Sequence, residues 1–306
     1  MKINSVPIED VSAECFEAWF ARLVVTARSG KWAAEAARSA VGCAASVIGC
    51  GCEAGIEASS TDFKSVDGRP AHEILFFART KEILEKELIK RVGQTLLPCP
   101  TVMVFNGLDD GEEFELGAKV GYFGNRFEKE DTRYGRECVA VPITSGEFIV
   151  EKKVKLGMGV AGANFWIYAA SYKAGLRAAE RAAMEISKLP GLILPFAGGV
   201  VASASRVGSR YPFLKASTQE DYCPAISAKR NPDRKLPEGV EALFEIVIDA
   251  VDVETAERAV ADGIRAACSG GIMKIGAANF GGKLGGINIS LRDCLTAEAA
   301  KDAEKR

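Results

Sequence analysis

Histidine is almost absent from this sequence: His72 is the only one among 306 residues. Any arrangement that depends on imidazole, from a Ser-His-Asp triad to a multi-histidine metal site, would have to run through that one side chain. It stands in Arg69-Pro70-Ala71-His72-Glu73 at the mouth of an apolar run, the place of a half-exposed strand residue. Chemistry is therefore expected from other groups. An excess of one charge is lacking too. The chain carries 39 Lys and Arg against 41 Asp and Glu, with a pI near 5.8. That balance offers no electrostatic basis for capturing nucleic acid or an anionic membrane. No long apolar run is present either. A low-charge stretch that no other exceeds in length, Leu189 to Ser205, is interrupted by Pro190, Gly191, Pro195, Gly198 and Gly199, short of the roughly 20 apolar residues that span a bilayer. The first 20 residues carry acidic side chains and no apolar segment, so no secretory leader is expected there.

The nine cysteines are an odd number and scattered, a poor disulfide framework. Only Cys50-Gly51-Cys52 is locally paired, and neither a second pair nor His-x-x-x-His follows at zinc spacing. Reduced thiols in a cytosol, without a metal, are the expectation. Cys99 and Cys223 lie near loop segments without an evident basic partner. A thiol of ordinary pKa, about 8.5, is mostly protonated at neutral pH, which argues against a covalent thiolate route. Gly159-Val160-Ala161-Gly162-Ala163-Asn164 precedes a strand, where nucleotide-binding glycines should follow one.

Strand–helix–strand periodicity recurs four times. Ala21–Thr26 is followed by a helix over Lys31–Val41 and a return strand over Ala44–Ile48. Glu73–Ala78 leads into a helix with Ile83, Leu84, Leu88 and Val92 on one side, closed at Gly93-Gln94, then Pro98-Cys99-Pro100-Thr101 opens the strand Thr101–Phe105. Asn164–Tyr168, a helix lined by Leu176, Ala179, Ala183 and Ile186, and Leu192–Leu194 make the third unit. In the fourth, Leu243–Ile248 precedes Asp252, which can cap a helix lined by Val253, Ala256, Val260, Ile264 and Ala267, and Ile272–Ile275 returns. Paired units of this kind predict an α+β fold of two ferredoxin-like α/β sandwich lobes, antiparallel sheets with helices on one face. The lobes are expected at 1–145 and 146–293, with a polar tail over 294–306; a single larger sheet is the alternative.

Two insertions interrupt this pattern. Gly107 to Arg136 is rich in Asp, Glu and Gly and reads as a solvated excursion. The stretch 196–234 holds Gly198-Gly199, Ser203, Ser205, Ser209, Ser217, Thr218, Tyr222 and Cys223, a content that favours an ordered binding loop. One carboxylate stands in an apolar strand, Glu245 in Ala242–Ile248. Phe244, Ile246 and Ile248 share one face; Glu245 lies on the other with Leu243, Val247 and Asp249. Covered by another lobe or subunit, its pKa would rise toward neutrality and suit proton transfer; on an open sheet face it would be an ordinary exposed Glu. Asn279-Phe280-Gly281-Gly282-Lys283-Leu284-Gly285-Gly286 lacks P-loop spacing, but its glycines permit close backbone approach and Lys283 could meet an anionic tail.

Motifs along nearly the whole chain carry a resemblance. They are Cys52-Glu53-Ala54-Gly55-Ile56, Asp67-Gly68-Arg69-Pro70, Arg91-Val92-Gly93-Gln94, Gly146-Glu147-Phe148, Pro195-Phe196-Ala197-Gly198-Gly199, Ser203 to Ser209, Lys215-Ala216-Ser217-Thr218, Asp221-Tyr222-Cys223-Pro224, Glu245 to Ile248 and Asn279 to Gly285. In this order they resemble the formylmethanofuran:tetrahydromethanopterin formyltransferase family, including the formyltransferase subunit of the bacterial formyltransferase/hydrolase complex. The resemblance implies direct formyl transfer between the amine of methanofuran and N5 of tetrahydromethanopterin in one-carbon metabolism. These are coenzyme substrates, and no prosthetic group or metal is implied. It implies a cytoplasmic homotetramer or a place in a formyltransferase/hydrolase complex. The residue matching the family's acid/base is Glu245, and Gln94 matches a donor to the tetrahedral oxyanion. Candidate coenzyme contacts are Thr101, Ser203, Ser205, Ser217, Thr218, Tyr222, Asn279 and Lys283.

The sequence also departs from the family. Ser217-Thr218-Gln219 stands where Ser-Thr-Asn is usual, and Gly276-Ala277-Ala278-Asn279-Phe280 where Ser-Ala-Gly-Asn-Phe is usual. Two other readings compete: a non-catalytic or partner-dependent coenzyme-binding subunit of such a complex, and a ferredoxin-like regulatory domain for a small effector. The serine-rich insertion and Glu245 argue against the last, because a sensor needs neither.

Overall fold

A computed structural model describes residues 1–58 and 65–304, the side chains of 298–304 excepted. By packing, the chain divides into two units, Met1–Glu17 with Val160–Arg306, and Ala18–Gly159. The crossings between the two units fall inside two long strands, Ser12–Thr26 and Val154–Ala169. A strand that continues from one unit into the next shows no shift of composition to read.

In the first unit, the strand order is Leu192–Ile193, Ala242–Ala250, the second half of Val154–Ala169, then Ile272–Gly276, every neighbour antiparallel. The helices Tyr172–Ile186 and Val253–Ala267 cover one face. Their contact with the sheet is lined by alanine: Ala178, Ala179, Ala182 and Ala183 on one helix, Ala256, Ala259, Ala261 and Ala267 on the other, all buried. Small side chains let helix backbones come close to the strands and leave the larger Phe165, Ile167, Phe244 and Ile246 to fill the gap. Asp252 caps the second helix as expected, its carboxylate accepting from Thr255 N–H at 2.7 Å. Asp252→Ala should cost about 1 kcal/mol in denaturant unfolding, the usual loss for an acidic N-cap.

The second unit repeats the plan. Glu53–Ile56, Ala71–Ala78, the second half of Ser12–Thr26 and Met103–Asn106 run side by side, all antiparallel. Gly30–Val41 and Lys81–Arg91 pack on one face over Leu23, Val25, Ile74 and Phe76. These are the two ferredoxin-like lobes of the expected α+β class.

Several elements differ from the sequence reading. Ala44–Ile48 is not the return strand. The Ser46 hydroxyl caps a short helix, Val47–Cys50, and the Glu53 carboxylate accepts from Val47 N–H at 3.0 Å, so the return begins only at Glu53. Gly93-Gln94 does not stop its helix. The helix continues as a π-helical turn, Val92–Leu96, and a Cβ on Gly93 would come within 2.4 Å of the Phe123 ring. Gly107 to Arg136 is no solvated excursion: it contains Glu112–Phe114, Leu116–Gly121 and Lys129–Arg133, with Phe114, Leu116 and Val120 buried. Gly146–Glu151, Arg136–Ile143 and Lys129–Arg133 extend this unit's sheet beyond Met103–Asn106. The expected tail begins inside a helix, Leu291–Glu304, with Cys294 and Leu295 buried; residues 305–306 lie outside the described residues.

Candidate functional site

Glu245 is 1 % exposed, in a strand of which every residue is buried. Alternation sends Phe244, Ile246 and Ile248 into the core beneath the helices. The opposite face carries Glu245 and Leu243, and Leu243 belongs to a smaller cluster with Trp166, Tyr168, Ala204, Leu236, Val240 and Ala278. The 196–234 insertion of its own unit covers Glu245. Val201 N–H donates to the Glu245 carbonyl at 2.8 Å and Glu245 N–H to the Val201 carbonyl at 2.9 Å. Val201 thereby prolongs the edge begun by Leu192–Ile193, and the chain turns over the face through Ala204 and Ser205.

That edge pairing has a consequence on the other side of the strand. Since the Glu245 N–H and C=O point to Val201, its partner Trp166 on the neighbouring strand forms a non-hydrogen-bonded pair with it. Side chains of such antiparallel pairs approach most closely. The Trp166 indole N–H donates to one Glu245 carboxylate oxygen, Oε1, at 3.0 Å. The Ser205 hydroxyl bonds the other, Oε2, at 2.8 Å. Burial pushes the Glu245 pKa up, and the Trp166 and Ser205 hydrogen bonds only partly oppose it. Trp166 also meets Tyr222 edge-on at 4.9 Å, and Tyr168 meets both. Lys274 lies 4.2 Å over the Tyr168 ring and pairs with Glu9.

The glycine-rich loop is occupied differently from expectation. The carboxylate of Glu14, fully buried, accepts four backbone N–H groups from it: Phe280 and Gly282 on one oxygen, Leu284 and Gly285 on the other. Burial would raise the Glu14 pKa, but these four donors together outweigh it and hold the pKa below 4.5. The concavity that could cradle a ligand anion is already filled by the protein's own carboxylate. Lys283 is exposed on this loop, and the exposed Asn279 ties it down, donating to the Ser12 carbonyl and the Asn288 side chain. A Cβ on Gly285 would sit 2.3 Å from the Cys15 carbonyl oxygen. Gly285→Ala should therefore cost about 1–3 kcal/mol in chemical denaturation, since the obstacle is backbone and cannot swing away.

Of the remaining candidates, Ser217 and Thr218 line a cavity of about 630 Å³ with Ser209, Arg210, Tyr211 and Arg230. Glu245 does not line it. Ser217 donates to the Gly208 carbonyl at 2.9 Å, and Ser203 is exposed. Gln94 and Thr101 belong to the other unit. Gln94 is exposed in the π-helical turn. Thr101, at a positive φ of 67°, accepts from Arg28 N–H and gives its carbonyl to Arg69. Burial raises the pKa of Cys99 and of Cys223, the opposite of what a thiolate nucleophile needs. Among the described residues, no group of three His, Cys, Asp or Glu side chains could hold a metal ion. His72 is half-buried in its strand, as expected, and burial lowers its pKa.

Residues 1–143 match the family described as formylmethanofuran-tetrahydromethanopterin formyltransferase, and residues 146–294 match the proximal lobe of the same family. The chain belongs to this formyltransferase family. The enzyme of that name from Methanopyrus kandleri is 44% identical over 299 residues, covering 96% of this chain and 99% of the relative. The one from Archaeoglobus fulgidus is 43% identical over 296 residues, again 96% and 99%. Among solved structures, the Methanosarcina barkeri formyltransferase superposes with a TM-score of 0.88 at 41% identity, over 96% of this chain and 100% of that one. A chain of the Methylorubrum extorquens formyltransferase/hydrolase complex, solved with methylofuran, gives 0.90 at 36% identity, over 96% and 98%.

Within the formyltransferase fold, Trp166 and Glu14 escaped the sequence reading. Trp166 had a signal: Asn164, Trp166 and Tyr168 alternate with Phe165 and Ile167, so one face of that strand was polar and aromatic and needed a partner. Glu14 had none, because its partners lie more than 260 positions away. The departure at Gln219 touches the site directly: its side-chain amide donates to the Ser205 carbonyl at 3.3 Å.

Proposed function

We propose that this chain transfers a formyl group between the amine of methanofuran, or a related furan coenzyme, and N5 of tetrahydromethanopterin. The one observation that carries the mechanism is Glu245, sealed from solvent with an indole N–H and a hydroxyl on its two oxygens. Moving a formyl group from nitrogen to nitrogen passes through a tetrahedral intermediate. The attacking N5 must lose a proton and the departing amine must gain one. A carboxyl whose pKa is raised by burial serves both steps: ionised, it takes the proton from N5; protonated, it returns it to the leaving nitrogen. Gln94 is the candidate donor to the oxyanion, where one well-placed hydrogen bond typically supplies about 3–4 kcal/mol. Ser203, Ser217, Thr218, Tyr222, Asn279, Lys283 and Thr101 are candidate coenzyme contacts. Exclusion of water matters because hydroxide would release the formyl group as formate.

Family membership and the identity over nearly the full chain support this reading. The test is an assay of the purified chain with formylmethanofuran and tetrahydromethanopterin, expected to yield N5-formyl product without added metal. Absence of product from pure protein, with activity appearing only on adding other subunits, would favour the partner-dependent alternative. Likeness to a subunit of the formyltransferase/hydrolase complex keeps two assemblies open to measurement, a homotetramer and a larger complex, which the mass of the purified native protein distinguishes. A reducing cytoplasm suits nine free thiols, five of them buried. No helix among the described residues is long and apolar enough to cross a membrane.

A further inference from the structure

Glu245 is closed off, yet its role requires protons to reach and leave it. Its two oxygens have chemically unequal partners. The Trp166 indole nitrogen can only donate a hydrogen bond, so Oε1, which it holds at 3.0 Å, has in it no partner to take a proton, while the Ser205 backbone N–H adds a further donor to the carboxyl. The Ser205 hydroxyl, 2.8 Å from Oε2, can donate and accept. Of the two side chains that bond the carboxyl, it is the only one able to receive a Glu245 proton. Burial differs in the same sense: Trp166 is 4 % exposed, while Ser205 is only half-buried. Ser205 is thus the less buried of the carboxyl's two side-chain partners.

We propose that Trp166 fixes the Glu245 proton on Oε2 and that Ser205 relays it between Glu245 and the reacting nitrogens. The relay rests on the formyl-transfer reading above; the position of the proton does not. The step balances. As N5 attacks the formyl carbon, its N–H proton passes to Ser205 Oγ while the Ser205 hydroxyl proton passes to Glu245 Oε2. On collapse of the intermediate, Oε2–H returns its proton to Ser205 Oγ as the Ser205 hydroxyl proton moves to the departing amine. The C–N bond to the furan coenzyme breaks, that to N5 remains, and both side chains end as they began. Trp166 is a positioning residue in this scheme, and Ser205 is the group that faces the substrates.

Two measurements test it. Ser205→Ala should lower kcat roughly tenfold or more with KM for both coenzymes nearly unchanged, and Ser205→Thr, which keeps the hydroxyl, should restore most of it. Independently of turnover, the infrared C=O stretch of protonated Glu245, assigned by its loss in Glu245→Gln, reports which oxygen is bare. Trp166→Phe removes the donor to the C=O and should shift this band to higher wavenumber; Ser205→Ala should not. An upward shift in Ser205→Ala with none in Trp166→Phe would overturn the proton's position, and wild-type kcat in Ser205→Ala would overturn the relay. A wild-type chain without formyl-transfer activity but with the expected infrared pattern would remove both the relay and the functional reading it rests on, and leave the proton on Oε2.

Discussion

Glu245→Gln is expected to lower kcat by about 10²- to 10⁴-fold, the usual range for a general acid/base, while both coenzymes still bind. The amide is nearly the same size. Its oxygen can accept from the Trp166 indole and its NH₂ can donate to the Ser205 hydroxyl, so of the carboxylate's hydrogen bonds the substitution puts at risk that from the Ser205 backbone N–H. What it cannot do is exchange a proton. The same substitution should leave stability unchanged or increase it above acidic pH. Burial raises the Glu245 pKa in the folded state above 4.5, so the folded protein holds that proton more tightly than the unfolded chain. Such a group contributes its stability below the unfolded pKa and loses it as pH rises through the folded one. At neutral pH and above, the wild type carries the cost of a buried charge that the glutamine variant escapes. Thermal unfolding across pH would show the two curves separating upward with pH in the variant's favour. Activity lost together with stability would instead mark Glu245 as a structural residue.

The second large effect is expected at Glu14. Glu14→Gln should cost at least about 3 kcal/mol, because four backbone N–H groups point at this carboxylate and an amide can satisfy only those facing its oxygen. The NH₂ would oppose two of the donors outright. For a chain of this size the fall in Tm should be roughly 5 °C. The sign with pH is opposite to that of Glu245. The Glu14 pKa is held below 4.5, so its contribution is present above that value and disappears as pH falls through the folded pKa. Wild type and variant should therefore converge in stability toward strongly acidic pH. Parallel curves over the whole range would show that the loop does not depend on the charge.

Much of the fold was readable because helix and strand periods are local. The two strands Ala242–Ala250 and Ile272–Gly276 of the first unit, with Asp252 capping the helix between them, follow from patterns a few residues long. The same locality explains the failures. Ala44–Ile48 has a strand's apolar character, and only the reach of Glu53 back to Val47 makes it a helical turn. Gly93 looks like a helix stop until Phe123 is found against it. At the site, Glu245 stood out as a carboxylate in an apolar strand, and alternation gave its face. The cover over that face, Val201 to Ser205, was visible only as a run of small residues in an insertion, since its docking depends on pairing with a strand about 45 residues further on. Trp166, 79 positions away, became Glu245's partner through strand register alone.

The pKa of Glu245 itself is the most direct test. Infrared difference spectra between wild type and Glu245→Gln, recorded as a function of pH, isolate the one carboxyl that the substitution removes. A protonated-carboxyl band that persists well above the ordinary carboxylate range, with the acid limb of kcat/KM displaced upward to the same pH, is the predicted result. A Glu245 that has already ionised near pH 4.5, as an exposed glutamate does, would contradict the account.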